Sequence, residues 1–379
     1  MRPLLFFVFL LVTVAATSQQ YYLFIGTYTS TGSKGIYVYR FNAATGHVDS
    51  VSSTEGIVNP SYLAIAPGGK YIYAATETRT PNAGSISAFA FDRATGKLRL
   101  INRQPGGGDN PVYVSVHHSG KWVVMANYSG GSLSVFPLNA DGSLSPFSQN
   151  IVYQGRSVNP ERQDRSHVHS VIFSPLQDYL MVQDLGRDKV MVYRFDEHAG
   201  PHPQAGQPLR PAAIPFISTI PGTGPRHLAF LPDGRYAYLV EEMGGAVDVY
   251  RYDAGKGSLD SVQRILAHPD TAKGPFRSAD IHVSPDGRFL YVTNRESESN
   301  VAIFLIDSAT GKLMLKGYES TQGIEPRNFL IDPSGAFLLV ANQESNSIVL
   351  FRIDRKTGML HPTGEKIIVP LPTCLKMME

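Results

Sequence analysis

Gly224-Pro225-Arg226-His227-Leu228-Ala229-Phe230-Leu231-Pro232-Asp233-Gly234-Arg235-Tyr236-Ala237-Tyr238 is two apolar runs hinged on a Pro-Asp-Gly turn. The fixed φ of Pro and the positive φ open to Gly fold such a segment back on itself, so it reads as a β-hairpin. Residues 59–73 repeat the pattern, and further copies run over 110–124, 168–181, 279–292 and 325–339. A third apolar strand follows each, as in Val247-Asp248-Val249-Tyr250-Arg251-Tyr252, then a turn such as Ala309-Thr310-Gly311-Lys312 and a short fourth strand such as 98–101. Four short antiparallel strands every ~40–50 residues are the mark of β-propeller blades.

Six copies are complete and a seventh is split. Residues 21–40 supply a second and third strand with no first strand, while Pro370-Leu371-Pro372-Thr373-Cys374-Leu375 resembles an isolated first strand. The expected fold is therefore an all-β, seven-bladed propeller of four antiparallel strands per blade, with one blade closed jointly by the two ends of the chain. Closing it that way removes an open sheet edge that would invite aggregation. One domain is expected over 20–379, with the segment 198–211 as a surface loop and no helix of ordinary length. Residues 1–18 read as a signal peptide, with Arg2, an apolar run over 4–14 and small residues at Ala15-Ala16-Thr17-Ser18. The run is too short to span a bilayer comfortably, so a secreted or periplasmic protein with no stable membrane span is expected.

Composition narrows the function. The 379 residues include 35 Gly and 26 Pro but only 17% charged side chains, which excludes a coiled coil and a charge-rich disordered chain. The formal net charge is +2 and the Lys and Arg are scattered, so no nucleic-acid partner is expected. Cys374 is the single cysteine, which excludes an internal disulfide, and no Cys/His spacing suits a structural zinc site.

In a propeller the first strand of each blade lines the central channel. The residue after each repeat's first Pro position falls at Ser61, Val112, His169, Arg226, Ala279, Arg327 and Thr373. A structural repeat alone gives no reason for His169, Arg226 and Arg327 among these small groups. A second set near the end of each second strand comprises Glu77, Tyr128, Leu185, Glu242, Arg295 and Gln343, preceded by Thr76, Asn127, Asp184, Glu241, Asn294 and Asn342. Such polar groups among apolar β residues must be solvated or paired. The period of two sends Glu241 and Glu242 to opposite faces, so only one of them reaches the channel. His169 has a nearby rival in His167, one of the pair being expected to face solvent or satisfy backbone. His227 reads as an inter-blade group, Trp122 and Met125 as core, and His117, His118, His198 and His202 as surface residues. Asn127-Tyr128-Ser129 matches a glycosylation sequon, a weak signal.

His169-Ser170, Pro225-Arg226-His227 with Glu241-Glu242 downstream, Ala279-Asp280-Ile281-His282 with Asn294-Arg295, and Pro326-Arg327 together resemble the seven-bladed propeller lactonase family of 6-phosphogluconolactonases and muconate cyclases. The resemblance covers nearly the whole chain after residue 20. It implies a lactone-hydrolysing carboxylic ester hydrolase with no cofactor and no metal, acting on a small-molecule lactone. By motif position it implies His169, Arg226, Glu242 and Arg295 as catalytic groups, and Arg327 matches the family's Pro-Arg; with Arg327, the strand-end residues Asn294, Gln343 and Asp184 are expected to bind substrate.

Those residue types suit the chemistry independently. A water attacking an ester carbonyl must lose a proton, which a His or Glu can take, and Arg can bind the substrate anion and the developing oxyanion. The expected roles are Glu242 paired with His169 as base, Arg226 on the oxyanion, and Arg295 with Arg327 on the substrate's acidic group. The absence of a Gly-x-Ser-x-Gly elbow disfavours a serine hydrolase. Two alternatives stay open. One is a divalent cation held by Glu242, Asp184, Asn294 and Asn127; the other is a non-catalytic propeller that captures an anionic sugar or peptide.

Overall fold

The computed structural model describes residues 19–30, 32–78, 80–200, 206–296 and 298–379. The signal-peptide expectation for 1–18 and the expectation for His202 lie outside the described residues. Seven four-stranded antiparallel sheets account for the chain from Gln20 to Met378. Their innermost strands are Pro60–Ile65, Pro111–Val116, Val168–Phe173, Pro225–Phe230, Ser278–Val283, Pro326–Ile331 and Pro372–Met378. The split blade closes as its sequence requires: Pro372–Met378 pairs with Gln20–Thr27, which continues to Ile36–Asn42 and Val48–Thr54. Among the described residues the only helical segment is a single 3-10 turn at Leu185–Arg187. The end of the segment expected as loop differs, since Leu209–Ser218 is an outer strand.

The packing explains the repeat. Second strands such as Trp122–Asn127 and Phe289–Asn294 are buried along their length because they lie between two other strands and between two blades. Fourth strands such as Lys97–Pro105 are half-exposed and polar. Trp122 and Met125 belong to the core as expected.

Neighbouring blades are stapled by one recurring contact. Tyr73, Tyr238 and Tyr291 on second strands donate their hydroxyls to the carbonyls of Gly142, Gly311 and Gly358 in the outer turns of the following blade, at 3.0, 3.1 and 2.9 Å. The glycine is obligatory there for two reasons. Gly311 has φ +69°, and a Cβ on it would lie 2.3 Å from the Tyr236 ring. Gly311→Ala therefore combines backbone strain with displacement of an inter-blade ring, and should cost on the order of 1–3 kcal/mol in a denaturant unfolding curve. An unchanged midpoint would show that the turn is not a staple.

Candidate active site

Every inner strand carries a bulge at its second residue. In the first blade Pro60 pairs with Thr76 and Tyr62 with Ala75, leaving Ser61 unpaired. The same skip leaves out Val112, His169, Arg226, Arg327 and Thr373, and in the fifth blade Ala279 and Asp280 together face Thr293. A bulge frees a residue from the ladder and re-aims its side chain. The seven positions aligned in the sequence are thus the seven bulged positions.

A second device sits beside each bulge. The N–H at the end of each second strand donates to the carbonyl just ahead of the inner strand: Glu77 to Asn59, Tyr128 to Asn110, Leu185 to His167, Glu242 to Gly224, Arg295 to Arg277 and Gln343 to Glu325. Tyr28 to Leu371 completes the circle. Where Pro opens the inner strand, the residue before it has positive φ, including the non-glycines Asn59, Asn110, Glu325 and Leu371. Strained backbone of this kind persists where the surroundings over-determine it, and it marks functional ends of a fold.

Bulge and clamp together build one polar cavity. Its inner lobe, about 380 Å³, is lined by His169, Glu242, Arg295, Tyr128, Arg162 and Arg327, among others. Glu77, Asn110, Arg277 and Arg327 continue into an outer lobe of about 820 Å³ with Tyr28, Gln343 and Glu325.

At the centre is the Glu242 carboxylate. Arg226 Nε donates to its Oε2 at 2.9 Å, Arg295 Nη2 lies 3.0 Å from the same oxygen, and Arg162 Nη2 donates to Oε1 at 2.5 Å. Burial alone would raise this carboxyl, but Arg295, Arg226 and Arg162 hold it well below the usual carboxylate range. His169 Nε2 is 4.0 Å from Oε2. Burial, reinforced by Arg226 and His227, pushes the His169 imidazole well below its ordinary value, so it is neutral at neutral pH. Arg295, 1% exposed, is lowered to about 10 by burial against the pull of Glu242, and stays cationic.

Beneath this layer lies a buried chain. His227 Nδ1 is 2.7 Å from Asp280 Oδ1, and Asp280 Oδ2 accepts from His282 at 3.1 Å and from the Phe329 amide at 3.3 Å. With Nδ1–H given to Asp280, the Nε2 lone pair of His227 faces Arg226 Nη1 at 3.2 Å. His227 is thus the inter-blade group the sequence suggested, and it helps fix Arg226.

Of the residues expected at the site, His169, Glu242, Arg295, Arg327 and Gln343 line the cavity. Three expectations are corrected. Arg226 does not line it: fully buried, it lies under Glu242 with Nη1 on the Ala279 carbonyl, and so positions the carboxylate. Asp184 bonds Ser166 Oγ and the His167 amide, and Asn294 bonds the Ala267 carbonyl and Asn300. Both sit one residue before the clamp position, so strand alternation turns them into their own blade. Asn127 behaves likewise, binding the Gly106 carbonyl and Ser132, which also closes the sequon to modification. Glu242, Asp184, Asn294 and Asn127 therefore do not converge as a cation site. Glu241 is turned away to Arg264, and His167 is stacked on Tyr128 and bonded to Asp164.

The sequence reading missed Tyr28, Arg162, Arg277 and Glu325. Tyr28 occupies the clamp position of the split blade, and Arg277 and Glu325 immediately precede inner strands, so extending the alignment by two residues finds them. Arg162 comes from the irregular segment before Val168–Phe173, where no repeat signal exists.

A buried carboxylate, a neutral imidazole and convergent guanidinium groups thus meet at the channel mouth of a seven-bladed propeller. A family model described as "Lactonase, 7-bladed beta-propeller" matches residues 22–377. The chain belongs to that family and is a carboxylic ester hydrolase of the lactonase class. It is 38% identical to a 6-phosphogluconolactonase of Formosa agariphila over 94% of this chain and 99% of the relative. It is 33% identical to one of Bacillus subtilis over 95% of this chain and 99% of the relative. A solved structure of a Pseudomonas aeruginosa periplasmic gluconolactonase superposes with TM-score 0.89 at 38% identity, covering 95% of this chain and 99% of that one.

The buried imidazoles set a pH dependence. His227 is lowered to about 4, chiefly by burial and the Arg226 charge, and His169 is lowered too. Unfolding returns both to ordinary values near 6.5, so the unfolded chain binds more protons between roughly pH 6.5 and 4. Stability should therefore fall as pH drops through that window. Thermal unfolding at pH steps should show this, and His227→Gln should flatten the slope; an equal slope in that variant would assign the effect elsewhere.

Proposed function

We propose that the protein hydrolyses a sugar-type lactone bearing an anionic group, of the 6-phosphogluconolactone class, with His169 as general base. One observation carries the reading. Asn110 Oδ1, His169 Nδ1, Arg277 Nε and Gln343 Oε1 are buried without a hydrogen-bond partner within the protein, and all four belong to residues of the one cavity. Unpaired buried polar atoms cost about 1–3 kcal/mol each, so the site favours a ligand rich in both hydroxyl donors and carbonyl or anionic acceptors. A polyhydroxylated lactone is such a ligand.

Neutral His169 takes a proton from water as the water oxygen bonds to the ester carbon and the carbonyl electrons move onto oxygen. Arg295 donates to that oxygen. Collapse of the adduct breaks the ring C–O bond, the leaving oxygen recovers the proton from His169, and a hydroxy acid departs. Glu242, pinned by three guanidinium groups, remains ionised and steadies the transient imidazolium across 4.0 Å. Arg162, Arg277 and Arg327 at the mouth hold the substrate's anion. The similarity to the 6-phosphogluconolactonases of Formosa and Bacillus supports the substrate class. The Arg2 and apolar 4–14 pattern and the periplasmic Pseudomonas relative support action outside the cytoplasm.

An unphosphorylated gluconolactone is the second reading. Arg277 is paired with Glu296 and Glu325, and Arg327 with Glu77 at 3.7 Å, so mouth charge is already partly matched. Hydrolysis of both lactones, followed with a pH indicator and corrected for the spontaneous rate, separates the two. Arg327→Met should raise KM for the phosphorylated substrate far more than for the unphosphorylated one if the first reading is right. His169→Ala should lower kcat by ~10²-fold or more, and a chelator should leave the rate unchanged. Full turnover in His169→Ala would remove the base from this scheme.

A further inference from the structure

The turn after the inner strand Pro111–Val116 carries His117 and His118, and the turn after the third strand Lys189–Phe195 of the next blade carries Glu197. This is the end of the propeller opposite the lactonase site. The ligand-capable atoms of His117, His118 and Glu197 all lie within 4.8 Å of one another. They border a cavity of about 470 Å³ to which Asp178, Asp196 and His198 also contribute. Nothing in the hydrolytic scheme uses any of them.

We propose that His117, His118 and Glu197 form a binding site for a zinc-like divalent transition metal that clips the second blade to the third. Two imidazoles and one carboxylate with a position left open to a cavity are a zinc donor set. The frame is built before the metal arrives. His117, expected at the surface, is instead buried against the Phe195 ring, with centroids 4.8 Å apart, and its Nδ1 and Nε2 lie 2.8 Å from Ser119 Oγ and 3.1 Å from the Gln177 carbonyl. The Glu197 backbone is held by Trp122 Nε1 at 3.0 Å, and the His118 amide by Gln177 Oε1 at 2.5 Å. The cation takes the lone pair of the unprotonated His117 nitrogen and displaces the hydrogen bond made there, while the other nitrogen keeps its proton. Bonds of about 2.0–2.2 Å set tetrahedral ligand atoms roughly 3.5 Å apart, so the more accessible His118 and Glu197 must close by about an ångström. Both are turn residues with room to change rotamer. Sequence spacing hides such a site because the carboxylate comes from the following repeat.

The test is calorimetric titration of the chelator-treated full chain with ZnCl2, read beside thermal unfolding. One equivalent should bind with Kd of about 10 µM or tighter, and the unfolding temperature should rise with added Zn²⁺. His118→Ala and Glu197→Gln should each weaken binding by about tenfold or more and abolish the thermal shift, with lactone hydrolysis unchanged. His198→Ala is the control for a casual surface histidine. No stoichiometric binding at about 100 µM Zn²⁺, or binding lost in His198→Ala but retained in the other two, overturns the proposal. Because the readout is metal binding, it stands or falls separately from the lactonase mechanism.

Discussion

Seven inner strands with one free edge each, turned toward a common axis, are the constraint from which this structure follows. Backbone groups on a buried edge must find partners, and adjacent inner strands splay too far apart to pair as a sheet. Side chains do the lacing. Ser115 Oγ reaches the Val171 carbonyl, Ser170 Oγ the Arg226 carbonyl, and Arg226 Nη1 the Ala279 carbonyl. Asp280 takes the Phe329 amide, Asn328 takes the Leu375 amide, and Thr373 Oγ1 donates to the Ser61 carbonyl. Between the first and second blades the stacked rings of Tyr62 and Tyr113, 3.9 Å apart, close the circle. The axis is therefore polar of necessity, and chemistry at the channel mouth draws on groups that the fold already needs.

The charge cluster is an extension of that lacing. Arg226 serves the axis through Ala279 and the site through Glu242, so the deepest charged layer is fixed by the fold rather than by substrate. Burying a carboxylate among guanidinium groups is a poor route to stability, since desolvation consumes most of the Coulombic gain. What the arrangement supplies is orientation: a carboxylate held from three directions by Arg226, Arg295 and Arg162. Groups already aimed and already stripped of water do not have to reorganise when charge develops on the substrate.

Legibility in the sequence tracks the repeat. The blade count, the shared blade and the bulged positions His169, Arg226 and Arg327 were readable because each recurs in register with a Pro or its equivalent. Glu242, Arg295 and Gln343 were readable for the same reason. Misassignment of Asp184 and Asn294 has a plain cause: both adjacent positions are polar in nearly every blade, and the clamp that picks one of them is a backbone hydrogen bond with no residue signature. Tyr28 was hidden by the split blade, and Arg162 by an irregular segment between blades whose path depends on tertiary packing. Arg226 kept its place but changed its role, since alignment gives direction toward the axis and says nothing of depth along it.

Depth decides the division of acid–base labour. Two candidate bases stand within 4.0 Å of each other, and Arg226 acts on both in one direction. Against the effect of burial, Arg295, Arg226 and Arg162 depress Glu242 by stabilising its charged form, while burial first, and then Arg226, depresses His169 by opposing its charged form. At neutral pH the pair is thus held as carboxylate and neutral imidazole, with no proton between them. A proton released by attacking water meets two weak acceptors, but only one of them gains a favourable partner by taking it: protonated His169 faces an anion, whereas protonated Glu242 would leave Arg226, Arg295 and Arg162 crowded around a neutral group. In the proposed scheme that asymmetry, rather than either intrinsic basicity, is the reason proton transfer is given to the histidine and electrostatic support to the glutamate.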